Sequence, residues 1–411
     1  MSASEPVLHR AVDDSLHVDL ARARTTSPTA IDADTGAVVV LRHAEVEHLA
    51  HDPRVIGVGL SFFDFMGIDD GPLRRWYGSL MFTNEGDAHH RLRRLVATAF
   101  TPRSVEPHRA LARELASLRV AELASDGGGD LVAAFADVPM AVMCRLLGVP
   151  DDEVSTFLQY GDALSPVFGF MDADQIEAAG EALGGLTTDV ARIVAERASA
   201  RGDDLISRLL DAEEDGDRLT NDELVTMVGN LIVGGHDTTA SQISCSLLTL
   251  LRHPESLGLL RDGDAVPASV VSETIRYEPS IPFVPRTLAE PVEIGGTERG
   301  TGAMVFLSTA SANRDATTWV EPDVFRPGRF AERDAPRLLS FGSGPHYCLG
   351  AALARMTLEE VVTAVAAGPP LSPTFDLADV EWHEVLGRSP VALPVCRSRD
   401  GTDVPAGGSA W

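Results

Sequence analysis

The chain has 411 residues and 43.8 kDa, with 34 basic against 61 acidic side chains, a formal net charge of −27 and a pI near 4.7. That balance excludes a general nucleic-acid binder, whose affinity rests on neutralising phosphates with cations. Every basic side chain is Arg and Lys is absent, so Schiff-base chemistry and a Walker-type phosphate loop are excluded too.

Hydrophobic residues make up 44% of the chain, enough to bury a large core. Cys144, Cys245, Cys348 and Cys396 contain no C-x-x-C pair, which argues against a disulfide framework or a zinc site. The first residues lack the apolar run of a signal peptide, and no apolar stretch of about 18 residues occurs elsewhere. A cytoplasmic protein in a reducing compartment is expected.

In chain order, residues 1–27 and 398–411 read as N- and C-terminal tails that fray. AVVVL predicts a strand, and HAEVEHLAHDP after it a helix. From Asp87 to Arg252 the apolar residues fall mainly at helical spacing, with breaks at Pro and Gly. Within this stretch Thr220-Asn221-Asp222-Glu223 reads as a capping box, and the pattern continues without proline to Arg252. A helix of that length spans about 50 Å and must cross the whole molecule. Its middle, LIVGGHDTTASQIS, puts two glycines and several polar side chains where burial is deepest, which marks a functional site because buried polar groups need partners. Beyond Tyr277, PSIPFVPRTLAEPVEIGG and GAMVFLSTAS predict short strands. Residues 313–337 read as irregular, 349–366 as helix and VALPV as strand.

The sharpest local feature is FGSGPHYCLGAALARM, where Cys348 follows a Gly-rich loop and immediately precedes a helix. A helix N-terminus favours the thiolate. Gly342, Gly344 and Gly350 let the backbone approach a flat ligand, and amide donors at the sulfur would tune a metal-bound thiolate. The alternative is a small buried cysteine packed at a helix start.

This string is similar to the F-G-x-G-x-H-x-C-x-G haem-ligand loop of the cytochrome P-450 family at Phe341, Gly342, Gly344, His346, Cys348 and Gly350. Three further elements of that family follow the same order: Gly234-Gly235-His236-Asp237-Thr238-Thr239, the E-x-x-R pair Glu273 and Arg276, and Phe325, Pro327, Arg329 and Phe330 of an F-x-P-x-R-F element. The resemblance implies a mainly α fold with small β-sheets: a triangular, helix-rich single domain over 28–397, with a long central helix crossing the haem. It implies heme b (iron protoporphyrin IX) held by the Cys348 thiolate, with Phe341, Gly342 and Gly350 around the ligand.

By the same resemblance His89, Arg93, Arg286 and His346 meet the haem propionates, for which the planar fork of Arg is well suited. The lead-in Glu85-Gly86-Asp87-Ala88-His89 departs from the family's D-P-P-x-H, and His90 stands beside His89. Asp237 and Thr238 match the family's acid–alcohol pair, Thr238 donating a hydrogen bond to bound oxygen and Asp237 relaying protons through water, while Gly234 and Gly235 let the helix open locally. Thr239 is expected only to bond a carbonyl of its own helix. Glu273, Arg276 and Arg329 form a buried structural support. The substrate pocket is expected along Phe62 to Met66, including Phe65, along Leu164 to Met171, at Ile232 and Gly235, from Ile281 to Val284, and at Val385 and Leu386.

A monooxygenase acting on an apolar small molecule with O2 follows from the intact pair, by hydroxylation or epoxidation. Electrons are expected from a separate ferredoxin and its reductase, docking on a local arginine patch drawn from Arg94, Arg103, Arg337 and Arg355. A monomer with no nucleic-acid or membrane partner is expected, and the Lys-free, Ala-, Arg- and Gly-rich composition fits a GC-rich bacterial source. Alternatives are oxidative coupling, desaturation or peroxide-driven oxidation on the same fold, and a non-catalytic haem sensor.

Overall fold

The computed structural model of the chain describes residues 5–10, 13–169, 171–212, 217–384 and 387–398. Its axis is the helix Asn221–Arg252, 32 residues long, or about 48 Å at 1.5 Å per residue. The expected capping box is formed: Thr220 Oγ1 accepts from the Glu223 amide at 3.2 Å, and Glu223 Oε2 accepts from the Thr220 amide at 2.8 Å. From Leu224 to Leu251 the helix buries residues on nearly every side, the mark of a helix enclosed by others. Val138–Leu147, Val154–Leu164, Ala173–Ser199 and Pro267–Tyr277 pack around it.

The strands form separate small sheets. The largest runs in the order Val7–Leu8, Thr29–Asp32, Val38–Val40, Met304–Ser308, Phe283–Leu288 and Val55–Ile56. Val39 sits opposite Phe306 in a parallel pair, and Arg286 opposite Val305 in an antiparallel one. The strands predicted at AVVVL, FVPRTL and MVFLS are therefore neighbours in one sheet, whose inner side carries Val38, Val40, Val305 and Leu307 into a core with Leu49 and Leu288. The helix predicted near the cysteine is Ala351–Ala367. Among the described residues no helix is long and apolar enough to cross a membrane.

The N-terminal segment corrects one expectation. Leu16–Thr26, assigned to a fraying tail, is a helix. Leu16, Leu20 and Ala23, spaced four and three apart, pack with Leu41, Phe283 and Phe306, and Arg24 Nη1 donates to Ser311 O at 3.1 Å and to Ser311 Oγ at 2.9 Å. An 11-residue helix beside an acidic, polar lead-in carries too short a pattern to stand out, and tertiary packing supplies the stability that propensity does not. Of the C-terminal tail, all but Ser398 lies outside the described residues.

Candidate active site

The cysteine loop is shaped by its glycines. Gly342 and Gly344 adopt φ of +72° and +70°, values that L side chains rarely tolerate. A Cβ on Gly344 would also overlap the carbonyl oxygen of Ala50, so the loop lies directly against the helix His43–Leu49 and its end. The Cys348 amide closes the loop onto Phe341 O at 2.8 Å. Cys348 lines the wall of a cavity of about 330 Å³. Burial pushes its thiol up, opposed by the amides of Gly350 and Ala351 and by the charges of Arg93 and Arg355. The amide donors at the sulfur expected from the sequence are present, and the Cys348 side chain is exposed on the cavity side.

Across the cavity the central helix presents Asn230, Gly234, Gly235, Thr238, Thr239 and Gln242. A Cβ on Gly235 would meet only Met143 Cε, the end of a flexible side chain that can turn aside. The helix remains α-helical through both glycines, without the local opening expected. Thr238 Oγ1 donates to Gly234 O at 2.9 Å. In this rotamer its proton is directed into its own helix. The helical back-bond expected of Thr239 is found on Thr238. Asp237 is half-buried on the same helix but outside the cavity lining, about 100° around the axis from Thr238.

The propionate candidates converge at one end. His89 is 1% exposed and its Nε2 has no partner, while its ring lies 4.2 Å from that of His346 at an interplanar angle of 32°. Burial, reinforced by the charges of His346 and Arg93, pushes the His89 imidazole down to about 4. Arg93 Nη2 donates to Tyr347 O at 2.6 Å. Arg286 donates to Pro285 O at 2.9 Å and lines the cavity with His346; burial lowers its pKa against the opposing charge of Glu85. Glu85, not foreseen as a site residue, accepts from His346 Nε2 at 2.9 Å and from the Gly57 amide at 2.6 Å. The unpartnered His89 nitrogen, the cavity-lining Arg286 and the thiol on the wall fit a flat, iron-bearing group with acidic side arms, as haem has. Cys348 would hold its metal, and His89, Arg93, Arg286 and His346 its carboxylates.

Beneath the loop lies the predicted support. Arg276 Nε and Nη2 donate to Glu273 at 2.7 and 2.9 Å, and Arg329 Nε donates to both carboxylate oxygens at 3.0 Å. All three side chains are buried. Arg276 also donates to Asn313 O and Pro322 O, and Arg329 to Val320 O and Glu321 O, so two guanidinium groups thread the irregular stretch predicted at 313–337.

Pocket expectations divide. Gly235, Ile281 and Val284 line the cavity. Phe65 does not: it is 79% exposed, away from the lining. Ile232 is fully buried in the hydrophobic core and outside the cavity lining, although only about 60° of helix separates it from Gly235. Leu164 is likewise core, and Val385 and Leu386 lie outside the described residues. Gln242, not anticipated, lies on the stripe at four-residue spacing after Thr238. Its Nε2 donates to Glu278 O at 3.0 Å and its Oε1 accepts from the Ser280 amide at 2.9 Å, which pins the start of the Ile281–Val284 wall to the central helix.

The family model for Cytochrome P450 matches residues 153–261 and 267–365. Luteothin monooxygenase of Streptomyces thioluteus is 32% identical over 87% of this chain and 88% of its own length. 6-Deoxyerythronolide B hydroxylase of Saccharopolyspora erythraea is 31% identical over 91% and 94%. The crystal structure of CalO2 superposes with a TM-score of 0.87 at 26% identity, covering 95% of this chain and 99% of that one. With the cysteine loop, the Glu273–Arg276–Arg329 support and the central helix in place, the chain belongs to the cytochrome P450 family of haem-dependent monooxygenases.

Proposed function

We propose that the protein inserts one oxygen atom from O2 into an apolar small molecule, with electrons supplied by a separate ferredoxin. The observation that carries this reading is the placement of Cys348 and Thr238 on the lining of one largely apolar cavity. Haem, when bound, supplies oxygen activation, and a thiolate ligand favours O–O cleavage. The chain's own residues do the rest. Amides of Gly350 and Ala351 bear on the sulfur and temper its charge. Thr238, its proton held by Gly234, accepts a hydrogen bond at the oxygen side, and Asp237 passes protons inward from the flank of the helix. Phe82, Phe100, Pro139 and Met143 wall the cavity with apolar surface, which excludes bulk water and holds an apolar substrate.

Arg94, Arg103 and Arg337 are exposed and offer cations to an acidic donor on a chain of charge −27. Arg355 is half-buried, its guanidinium 4.7 Å from the Phe341 ring centroid, and is assigned to the cysteine loop. Replacing Arg103 and Arg337 together should weaken the salt dependence of reduction by ferredoxin; unchanged salt dependence would remove the patch from the reading.

The deciding experiment is the difference spectrum of the dithionite-reduced protein with carbon monoxide. A strongly red-shifted Soret band that Cys348→Ser abolishes establishes the thiolate. A band at the position of histidine-ligated haem, from demonstrably folded protein, overturns it. Labelled O2 then separates oxygen insertion, which carries label into product, from coupling or desaturation, which does not.

A further inference from the structure

The helix Gly86–Ala97 begins without the cap its position invites. Glu85 stands at its N-cap with extended backbone, yet makes no side-chain cap hydrogen bond. A carboxylate one methylene shorter, the Asp of the D-P-P-x-H lead-in, is a preferred cap; the longer Glu85 turns away from its own helix. Its Oε1 accepts from the Gly57 amide at 2.6 Å and its Oε2 from His346 Nε2 at 2.9 Å. A Cβ on Gly57 would sit 3.3 Å from Oε1, so the strand Val55–Ile56 runs out directly against the carboxylate. One side chain thus joins the end of that strand, the start of a helix and the cysteine loop. Burial would push the Glu85 carboxyl up, but the bonds from His346 and Gly57, with the charges of His346 and Arg286, hold it below its ordinary value. It is an anion near neutral pH, bonded to the His346 that stacks on His89 and lines the cavity with Arg286.

We propose that Glu85 is a positioning residue of the haem site: it fixes the ring of His346, and its negative charge lowers the reduction potential of the bound haem. The proposal rests on the haem reading. A carboxylate that accepts from a histidine fixes the orientation of that ring. Charge and hydrogen bonding around a haem are levers on its potential, and a fixed anion favours the ferric form, which carries one more positive charge than the ferrous. Glu85 is partly buried, so salt screens its charge less than that of a surface carboxylate. The consequence for turnover is a first electron that is harder to deliver, which confines reduction to a donor of lower potential.

The test is spectroelectrochemical titration of the substrate-free holoenzyme. Glu85→Gln keeps the size of the side chain and removes its charge. Glu85→Ser removes charge and reach together but supplies a preferred N-cap, which protects the fold. Each should move the ferric–ferrous equilibrium about threefold or more toward the ferrous form, tenfold being about 59 mV for one electron. Asp87→Asn removes the same charge from an exposed position in the first turn of the helix, and should move the equilibrium by less than that. A purely structural Glu85 would lower the melting temperature without moving the potential. Smaller shifts in Glu85→Gln or Glu85→Ser overturn the proposal, and so does an equal shift in Asp87→Asn, which would make net charge the cause. The carbon monoxide spectrum of the same preparations separates this proposal from its parent: a thiolate band with unmoved potentials overturns the role of Glu85 alone, and a wild type without that band overturns both.

Discussion

Thr238 Oγ1 donates to Gly234 O at 2.9 Å within the central helix, and this orientation makes the hydroxyl an acceptor toward the cavity. Removing it should leave oxygen consumption running while the proton goes astray. In Thr238→Ala, product formed per reductant consumed should fall about tenfold or more, the deficit appearing as hydrogen peroxide, as expected when a hydrogen bond that positions the transferred proton is lost. Thr238→Ser, which keeps the back-bond, should restore most of the coupling. Asp237→Asn should instead slow oxygen consumption about 10- to 100-fold. Coupling unchanged in Thr238→Ala would remove the hydroxyl from the mechanism.

Glu273 lies between two guanidinium groups with no exposed surface. Breaking a buried pair by removing one partner costs about 3–5 kcal/mol, because the remaining charge is stranded. Glu273→Gln strands Arg276 and Arg329, and both variants, Glu273→Gln and Arg276→Leu, should lower the midpoint of thermal unfolding sharply and lose haem on gel filtration. Arg276→Lys should rescue little, since one ammonium cannot replace a fork that reaches Glu273, Asn313 O and Pro322 O together. Wild-type melting in any of these would contradict a supporting role.

Legibility in the sequence followed how local the determinant was. The long helix was readable because its start is written in the chain: Thr220 and Glu223 cap each other. The cysteine loop and the Glu273 network were readable through resemblance, which identifies residue types at fixed spacing. Direction of side chains was not. Ile232 and Gly235 were assigned to one pocket, and although they lie on the same side of the helix only Gly235 reaches the cavity, Ile232 being enclosed in the core. Glu85 was invisible as a partner of His346 because 261 residues separate them. Gln242 and Asn230 could have been found by counting in fours from Thr238, a signal the apolar pattern around them obscured.

Gly344 should be among the least replaceable residues of the loop. Its φ of +70° costs a non-glycine residue about 1–3 kcal/mol, and an added methyl would also overlap Ala50 O. Gly344→Ala should therefore lower the melting temperature and speed haem transfer to apomyoglobin. Gly328→Ala is the control, with φ of −87° and open space at its Cβ, and should leave both unchanged. Equal behaviour of the two variants would mean that the loop does not depend on its contact with Ala50.

A source of acid sensitivity separate from His89 lies far from the cavity, where the N-terminal helix meets the strand Arg388–Pro390. His17 Nε2 bonds Glu278 Oε1 at 3.0 Å, Arg388 pairs with the same carboxylate, and Asp14 lies 3.6 Å from Arg388. Burial alone would push the Glu278 carboxyl up, but the groups facing it, His17 first and then Arg388 and Arg314, hold it well below the usual carboxylate range. Burial, with Arg314 adding to it and Glu278 opposing, lowers His17. Glu278 is thus held ionised beside His17, with Arg388 and Arg314 as further counter-charges. Both shifts mean that the unfolded chain binds more protons, so both contributions to stability are lost on acidification. The His17 contribution declines as pH falls below its ordinary value of 6.5, and that of Glu278 only below 4.5. Melting temperature should fall in two stages from pH 7 to 4, and His17→Gln should make the upper stage, to which His89 also contributes, shallower while leaving the lower one unchanged. Proteolysis of the N-terminal helix should follow the upper stage in the wild type. If His17→Gln and wild type share one slope between pH 6.5 and 4.5, the buried imidazole does not control this contact.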